Sequence, residues 1–354
     1  MAEEKEEAQP PSSEHARRLL DFLRTHKSEL SPLLILPHDF PDPDALATAY
    51  GLQYLAKQKF DIESRIAHRG LIGRPENREM VKLLRIPLRR LHKIDFRRHR
   101  KVALVDTQPC FRNNPFPGNR RATLVIDQHA SYRTPLADLA LIDTECGASC
   151  VIVAEALLLA GVDMPQRLAT ALAYGILSDT QDLYRAGRPD VVQTYLKVLH
   201  QSDMKLLARI QNPPRTKSFF VTLGRCICRA EKYRRLVVSH LGEVKNPDLV
   251  AQMADFLLTY DHANWAFCSG RYKGRLHVSL RTNRTDVQAG EILRDVFENR
   301  DLAGGHRTIA GGSMRVGVSQ PEEVWEKTEE SLQLKLVKRL RMPLKGEFWK
   351  PFKR

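Results

Sequence analysis

Apolar residues along this chain come in short unbroken runs separated by longer amphipathic stretches. Leu33-Leu34-Ile35-Leu36, bounded by prolines, has the pattern of a strand buried on both faces. Val102-Ala103-Leu104-Val105 and Leu124-Val125-Ile126 repeat that pattern. Helical spacing covers Ala45 to Lys57, about 148–160, about 165–178, and an early segment carrying Leu19, Leu20, Phe22 and Leu23. Buried strands alternating with helices predict an open, mostly parallel α/β sheet with flanking helices.

The pattern breaks at Asn212-Pro213-Pro214-Arg215, which reads as a linker. A second series follows: a strand from Arg234 to Leu241, a helix from Pro247 to Leu258, and paired strands Trp265 to Ser269 and Arg275 to Arg281 around the turn Arg271-Tyr272-Lys273-Gly274. A helix near 286–298 then leads into the glycine-rich Ala303-Gly304-Gly305-His306. The expected organisation is a disordered 1–14, an α/β domain over 15–205, a linker over 206–217, a smaller α/β domain over 218–320 and a basic tail over 321–354. A length of 354 residues with 42% apolar content suits two cores.

Composition narrows the setting. No run of 18 apolar residues exists, so no membrane span is expected. The polar, acidic start lacks the apolar stretch of a secretory signal, and the expected compartment is the cytoplasm. Six scattered cysteines show no disulfide or zinc spacing and read as reduced thiols. A net charge of +14 favours polyanionic partners, and much of it lies in Arg85 to Lys101 and the tail from Lys335. For the first run, a solvated helix face and an anion-attracting rim are equally good readings; for the tail the solvated face is preferred.

The residues that follow the three strands carry the candidate chemistry. His38, Asp42 and Asp44 sit in a proline-braced turn after the first strand. Asp106 closes the second, and Asp127-Gln128-His129 closes the third. Asp179 stands at a helix C-terminus, where its charge opposes the helix dipole and suggests an external cation. Ligands in an open α/β sheet bind at the carboxyl ends of the strands. One imidazole and several carboxylates form a hard N/O donor set suited to Mn²⁺, Mg²⁺, Fe²⁺ or Zn²⁺. The first turn alone is equally well an Asx-rich turn with Asp44 as a helix N-cap.

The order of these segments resembles the DHH phosphoesterase family, in the branch with a C-terminal DHHA1 domain that includes nanoRNases and oligoribonuclease-like enzymes. Its H-x-N-P-D-x-D-A opening is similar to His38-Asp39-Phe40-Pro41-Asp42-Pro43-Asp44-Ala45, which departs at Phe40. Val105-Asp106-Thr107 resembles its second motif, Asp127-Gln128-His129 its D-H-H, and Gly175-Ile176-Leu177-Ser178-Asp179-Thr180 its G-I-x-x-D-T. Ser279-Leu280-Arg281-Thr282 and Gly304-Gly305-His306…Ala310-Gly311 resemble the C-terminal S-L-R-S and G-G-H-x-x-A-A-G patterns. The resemblance spans roughly 20–320 and implies two domains across a cleft. It implies His38, Asp42 and Asp106 as ligands of one metal, and Asp44, Asp106 and Asp179 as ligands of a second, with Asp106 bridging. It also implies His129 as a contact to the substrate phosphate, and Arg281, Gly304, Gly305 and His306 as a phosphate or nucleotide clamp. The implied cofactor is a pair of divalent ions, Mn²⁺ ahead of Mg²⁺. The implied substrate is a short oligonucleotide, a dinucleotide or 3′-phosphoadenosine 5′-phosphate, and a homodimer is left open.

Gln128 stands where the family has a histidine ligand of the second metal. A glutamine carbonyl oxygen is neutral and a weaker ligand than imidazole for transition ions. Three outcomes stay open: ligation by Gln128 directly or through water, a site tuned to a harder ion, or a catalytically poor relative that binds nucleotides or RNA. Retained activity is the expectation, because four acidic ligands crowded together without metal repel one another.

Overall fold

The computed structural model describes residues 11–92, 95–131, 133–284, 286–297, 299–305, 307–343 and 347–353. Contacts divide the chain into a unit ending at Pro213 and another beginning at Pro214. The division falls within the expected linker. The segment before it is nevertheless helical, with Leu207 and Ile210 buried.

The first unit runs α1 (Pro11–Leu30), β1 (Leu33–Pro37), α2 (Pro43–Phe60), β2 (Ser64–His68), α3 (Pro75–Leu84), β3 (Leu88–Arg90), α4 (Asp95–Arg98), β4 (Lys101–Val105), β5 (Ala122–Asp127), β6 (Ala137–Ile142), α5 (Cys150–Leu159), α6 (Gln166–Thr180), α7 (Pro189–His200) and α8 (Met204–Gln211). Of the residues expected to be disordered, 11–14 belong to α1, and 1–10 lie outside the described residues. The sheet order is β3-β2-β1-β4-β5-β6, and every pairing is parallel. The order reverses between β1 and β4, which places a ligand crevice at their carboxyl ends. The unbroken apolar sequences of β1 and β5 follow from burial of every position on both faces. No described helix is long and apolar enough to cross a membrane.

The second unit contains α9 (Lys217–Arg229), β7 (Glu231–Tyr233), β8 (Leu236–Glu243), α10 (Asp248–Leu258), β9 (Trp265–Tyr272), β10 (Arg275–Thr282), α11 (Ala289–Phe297), β11 (Ala303–Gly305), β12 (Ile309–Arg315) and α12 (Glu322–Arg339). Its sheet order is β11-β12-β10-β9-β8-β7, with only β8 and β9 parallel among the pairs. The expected tail over 321–354 carries α12, whose Trp325, Leu332, Leu336 and Val337 join the core beneath β9 and β10. Buried Glu329 accepts hydrogen bonds from Arg271 and Ser269 and ties α12 to the sheet. Basic residues between these apolar positions mask the helix in the sequence. All six cysteines are free thiols.

Gly175 is one of the glycines at which helices of the first unit pack closely. A Cβ on Gly175 of α6 would lie 2.8 Å from the Ala47 Cβ and 3.0 Å from the Cys150 Sγ, so α2, α5 and α6 converge there. Gly175→Ala is expected to destabilise the chain by about 1–3 kcal/mol through overpacking, despite alanine's better helix propensity. Urea denaturation of the first unit's transition reads this out, and a variant as stable as the parent would show that the helices are less tightly apposed.

Candidate functional site

His38 emerges from β1, and its Nδ1 lies 2.7 Å from the Asp39 carbonyl oxygen. A carbonyl only accepts, so Nδ1 carries the hydrogen. The ring's Nε2 therefore faces Asp106 Oδ2 at 3.4 Å and Asp42 Oδ2 at 3.6 Å. A lone-pair nitrogen aimed at two carboxylates needs a proton or a metal cation between them. Asp42 also caps α2: its Oδ1 accepts from the Ala45 amide at 3.0 Å. The N-cap is thus Asp42 rather than the expected Asp44. Between them Pro43 opens the helix, where its missing N–H costs nothing. Phe40, at the family's Asn position, adopts φ 57, a conformation Asn tolerates more readily.

Asp44 is buried inside the first turn of α2. Its two oxygens accept from the backbone amides of Ser149 at 2.7 Å and Cys150 at 2.8 Å. The carboxylate thereby caps α5, which starts without a side-chain cap from its own neighbour. Asp106 follows β4 with φ 54, a left-handed conformation that a buried non-glycine residue holds only when the surroundings enforce it. Its amide is pinned to the Ile126 carbonyl at 2.8 Å, and its Oδ1 accepts from the Ser149 hydroxyl at 3.0 Å.

The third segment is built around Asp127. Its Oδ1 accepts from His129 Nδ1 at 2.8 Å and from the Gln128 amide at 2.9 Å, and its Oδ2 accepts from Gln108 Nε2 at 2.7 Å. The bond from Nδ1 orients the half-buried His129 ring. Phe111 packs edge-on against that ring, centroids 6.4 Å apart. The Gln128 side chain points its Nε2 at two carboxylates, donating to Asp179 Oδ2 and lying 3.5 Å from Asp44 Oδ2.

Electrostatics follow from this crowding. Burial, then repulsion from Asp106 and Asp42, pushes Asp44 up to about 8. Burial with repulsion from Asp42 and Asp44 does the same to Asp179, also to about 8. Asp106 is pushed up to about 7 by burial, against the hydrogen bond from His38. Burial alone would lower His38, but hydrogen bonds to Asp106 and Asp42 prevail and raise it to about 12. Asp42 is its counterpart: burial raises it, yet the hydrogen bond and charge of His38 bring it down to about 2. His129 is raised to about 9, the hydrogen bond to Asp127 and the charge of Asp106 overcoming burial.

The donor set tests unevenly against the two divalent ions that the resemblance implies. His38, Asp42 and Asp106 each offer an atom within 4.8 Å of the others, in a tautomer that frees Nε2, and they fit one ion. Asp106, Asp127 and His129 are as close, but the Asp127 oxygens are engaged by Gln108, Gln128 and His129, so this trio orients an imidazole. Asp44, Asp179 and Gln128 do not fit a second ion as they stand, because a hydrogen-bond donor occupies the position of the expected ligand.

The remaining candidates lie in the second unit. Arg281 on β10 is buried, its Nε donating to Asp255 and its Nη1 to the Ser279 hydroxyl at 2.7 Å. Gly304 and Gly305 form β11; a Cβ on Gly305, at φ +151, would lie 2.2 Å from the Ile309 carbonyl oxygen. The close approach this glycine permits is to β12. His306 lies outside the described residues. Sequence reasoning missed Ser149, Gln108 and the orienting role of Asp127. Ser149 had a faint signal: small residues Gly147-Ala148-Ser149 open a wholly apolar helix. Gln108 had none.

Comparison with known proteins bears on the second unit and on the fold. Residues 234–334 match the DHHA1 domain. An uncharacterized protein of Methanocaldococcus jannaschii is 29% identical over 329 residues, covering 92% of this chain and 67% of the relative. The crystal structure of an exopolyphosphatase-related protein from Bacteroides fragilis is similar with a TM-score of 0.72 at 14% identity, covering 92% of this chain and 98% of that one. CDC45 from Entamoeba histolytica is similar with a TM-score of 0.50 at 8% identity, over 92% and 99% of the two chains.

The raised groups fix a sign for stability. Asp44, Asp106, Asp179, His38 and His129 hold protons in the folded chain that the unfolded chain releases, so their contribution is complete below the unfolded values and lost as pH rises through the folded ones. Asp42 has the opposite sign, but its window lies between 3.8 and about 2. The melting midpoint of metal-free protein should therefore fall between about pH 5 and about pH 9, and an added divalent cation should flatten the fall. A midpoint that climbs over that range would contradict the convergence of these carboxylates.

Proposed function

We propose that the chain, whose residues 234–334 match the DHHA1 domain, is a phosphoesterase of the DHH/DHHA1 type, a divalent-metal-dependent hydrolase of phosphate esters in short oligonucleotides, dinucleotides or 3′-phosphoadenosine 5′-phosphate. The observation that carries this reading is the His38 ring. Its Nδ1 is committed to a backbone carbonyl, and its Nε2 converges with Asp42 and Asp106 at a strand end beside the sheet's reversal point.

His38, Asp42 and Asp106 hold the ion, Mn²⁺ ahead of Mg²⁺ for this mixed N/O set. When bound there, a divalent ion polarises a phosphoryl oxygen and lowers the pKa of water. Asp106, held by Ser149 and by its own backbone geometry, keeps its carboxylate fixed between His38 and His129. His129, steadied by Asp127, is assigned to contacting the substrate phosphate. The net charge of +14 draws polyanions toward the chain. In the second unit, Arg281, Gly304, Gly305 and His306 are assigned to gripping the substrate, with Nη2 the edge of Arg281 left for a phosphate oxygen.

One second reading has a specific observation behind it. The Gln128 amide between Asp44 and Asp179 is compatible with a chain that binds nucleotides without turning them over. A hydrolysis panel separates the two: dinucleotides, a cyclic dinucleotide, 3′-phosphoadenosine 5′-phosphate, pyrophosphate and inorganic polyphosphate, each with Mn²⁺ or Mg²⁺. Polyphosphate belongs there because of the name carried by the Bacteroides fragilis protein. We expect mononucleotide release from a dinucleotide, abolished by His38→Ala and Asp106→Asn, and reduced about 10²–10³-fold in kcat by His129→Ala. Tight dinucleotide binding without turnover in any metal would leave the binding-module reading in its place.

A further inference from the structure

We infer that Gln128 closes the second metal position, so that this chain works with a single divalent ion held by His38, Asp42 and Asp106. The inference rests on the proposed metal-dependent function but does not follow from it.

Three observations around Asp44 and Asp179 carry the argument. First, the Gln128 carboxamide lies between the two carboxylates, Nε2 donating to Asp179 and standing 3.5 Å from Asp44. The NH₂ end can donate to a carboxyl oxygen of each partner, and it is the end turned toward them. A metal in that place would need the amide turned to present its oxygen, which gives up the bonds to both carboxylates. Second, the Asp44 oxygens already accept the leading backbone amides of α5 and, at 3.4 Å, the Thr48 hydroxyl. Drawing Asp44 toward an ion weakens that cap. Third, the backbone that carries Gln128 is held in place. Its backbone amide is tied to Asp127 at 2.9 Å, and the same carboxylate steadies His129.

The contrast with the first position is chemical. There the His38 Nε2 faces two carboxylates, Asp106 at 3.4 Å and Asp42 at 3.6 Å, and a metal cation can take the place of the proton between them. At the second, a neutral amide offers two hydrogens to two carboxylates, and those bonds are made within the protein. A carboxamide oxygen is in any case a poorer ligand than imidazole for transition ions. Gln128 is therefore a positioning residue that holds Asp44 and Asp179 in the arrangement a second ion would otherwise impose.

Equilibrium dialysis of metal-stripped full-length protein against Mn²⁺, with elemental analysis of bound metal and electron paramagnetic resonance of the complex, tests this. The expected result is one Mn²⁺ per chain with no exchange coupling, and none in His38→Ala. Gln128→His should bind two ions and show an exchange-coupled spectrum, its folding checked by a melting curve. Two coupled ions in the unaltered chain would overturn the inference, as would an ion that survives His38→Ala. A Gln128→His variant that folds but still binds one ion would overturn the assignment to Gln128. Because the readout is stoichiometry, a chain that binds one ion yet hydrolyses nothing refutes the proposed activity and leaves this inference standing. A chain that binds none refutes both.

Discussion

Carboxylates at the ends of β1 and β4, in the first turn of α2 and at the end of α6 face one another with little solvent between them, and the rest of the first unit is arranged to make that tolerable. Asp44, Asp106 and Asp127 are buried outright. A buried charge without partners costs several kcal/mol, so each must be answered locally. Asp44 is answered by two amides of α5, Asp127 by Gln108, Gln128 and His129, Asp106 by Ser149 and His38, and Asp179 by Gln128. These bonds satisfy lone pairs. They supply little positive charge, which comes only from the two imidazoles. The deficit at His38, Asp42 and Asp106 is one that a divalent cation would correct.

The fold delivers this arrangement through a few backbone decisions. Adjacent parallel strands β1, β4 and β5 end side by side, so the residues that follow them share one edge. The left-handed Asp106 turns its carboxylate back toward His38 instead of continuing the strand. Gly175 lets α6 close on α2 and α5, and that closeness brings Asp179 within reach of Gln128. A looser helix contact would leave Asp179 as an ordinary surface residue at a helix end.

What was legible in the sequence was what a short stretch of chain decides by itself. The buried strands β1, β4 and β5 declare themselves because both faces are apolar. The chemistry at their ends is legible because it follows them at once. Strands with mixed exposure did not stand out: β2 carries Ser64, Arg65 and His68, β3 is arginine-rich at the sheet edge, and β12 is interrupted by glycines. Helix α12 was hidden by the lysines between its buried positions. Gln108 and Ser149 were invisible for another reason. Their partners lie 19 and 43 residues away, so their roles exist only once the strands are assembled.

The same distinction bears on how a motif position is read. A turn that caps a helix and a turn that binds a metal look like rival accounts of His38 to Asp44. In the folded chain they are not rivals, because a carboxylate has two oxygens. Asp42 uses Oδ1 to accept from the Ala45 amide in the first turn of α2 and turns Oδ2 toward His38. Asp106 gives Oδ1 to Ser149 and Oδ2 to His38. Capping therefore fixes the carboxylate that the chemistry uses. Asp44 is the exception: both oxygens are committed to α5, and its neighbour across the site is an amide. Where one oxygen remains uncommitted the position serves structure and chemistry together. Where neither does, structure has taken the residue over, and it has done so on the side of the site where Gln128 stands.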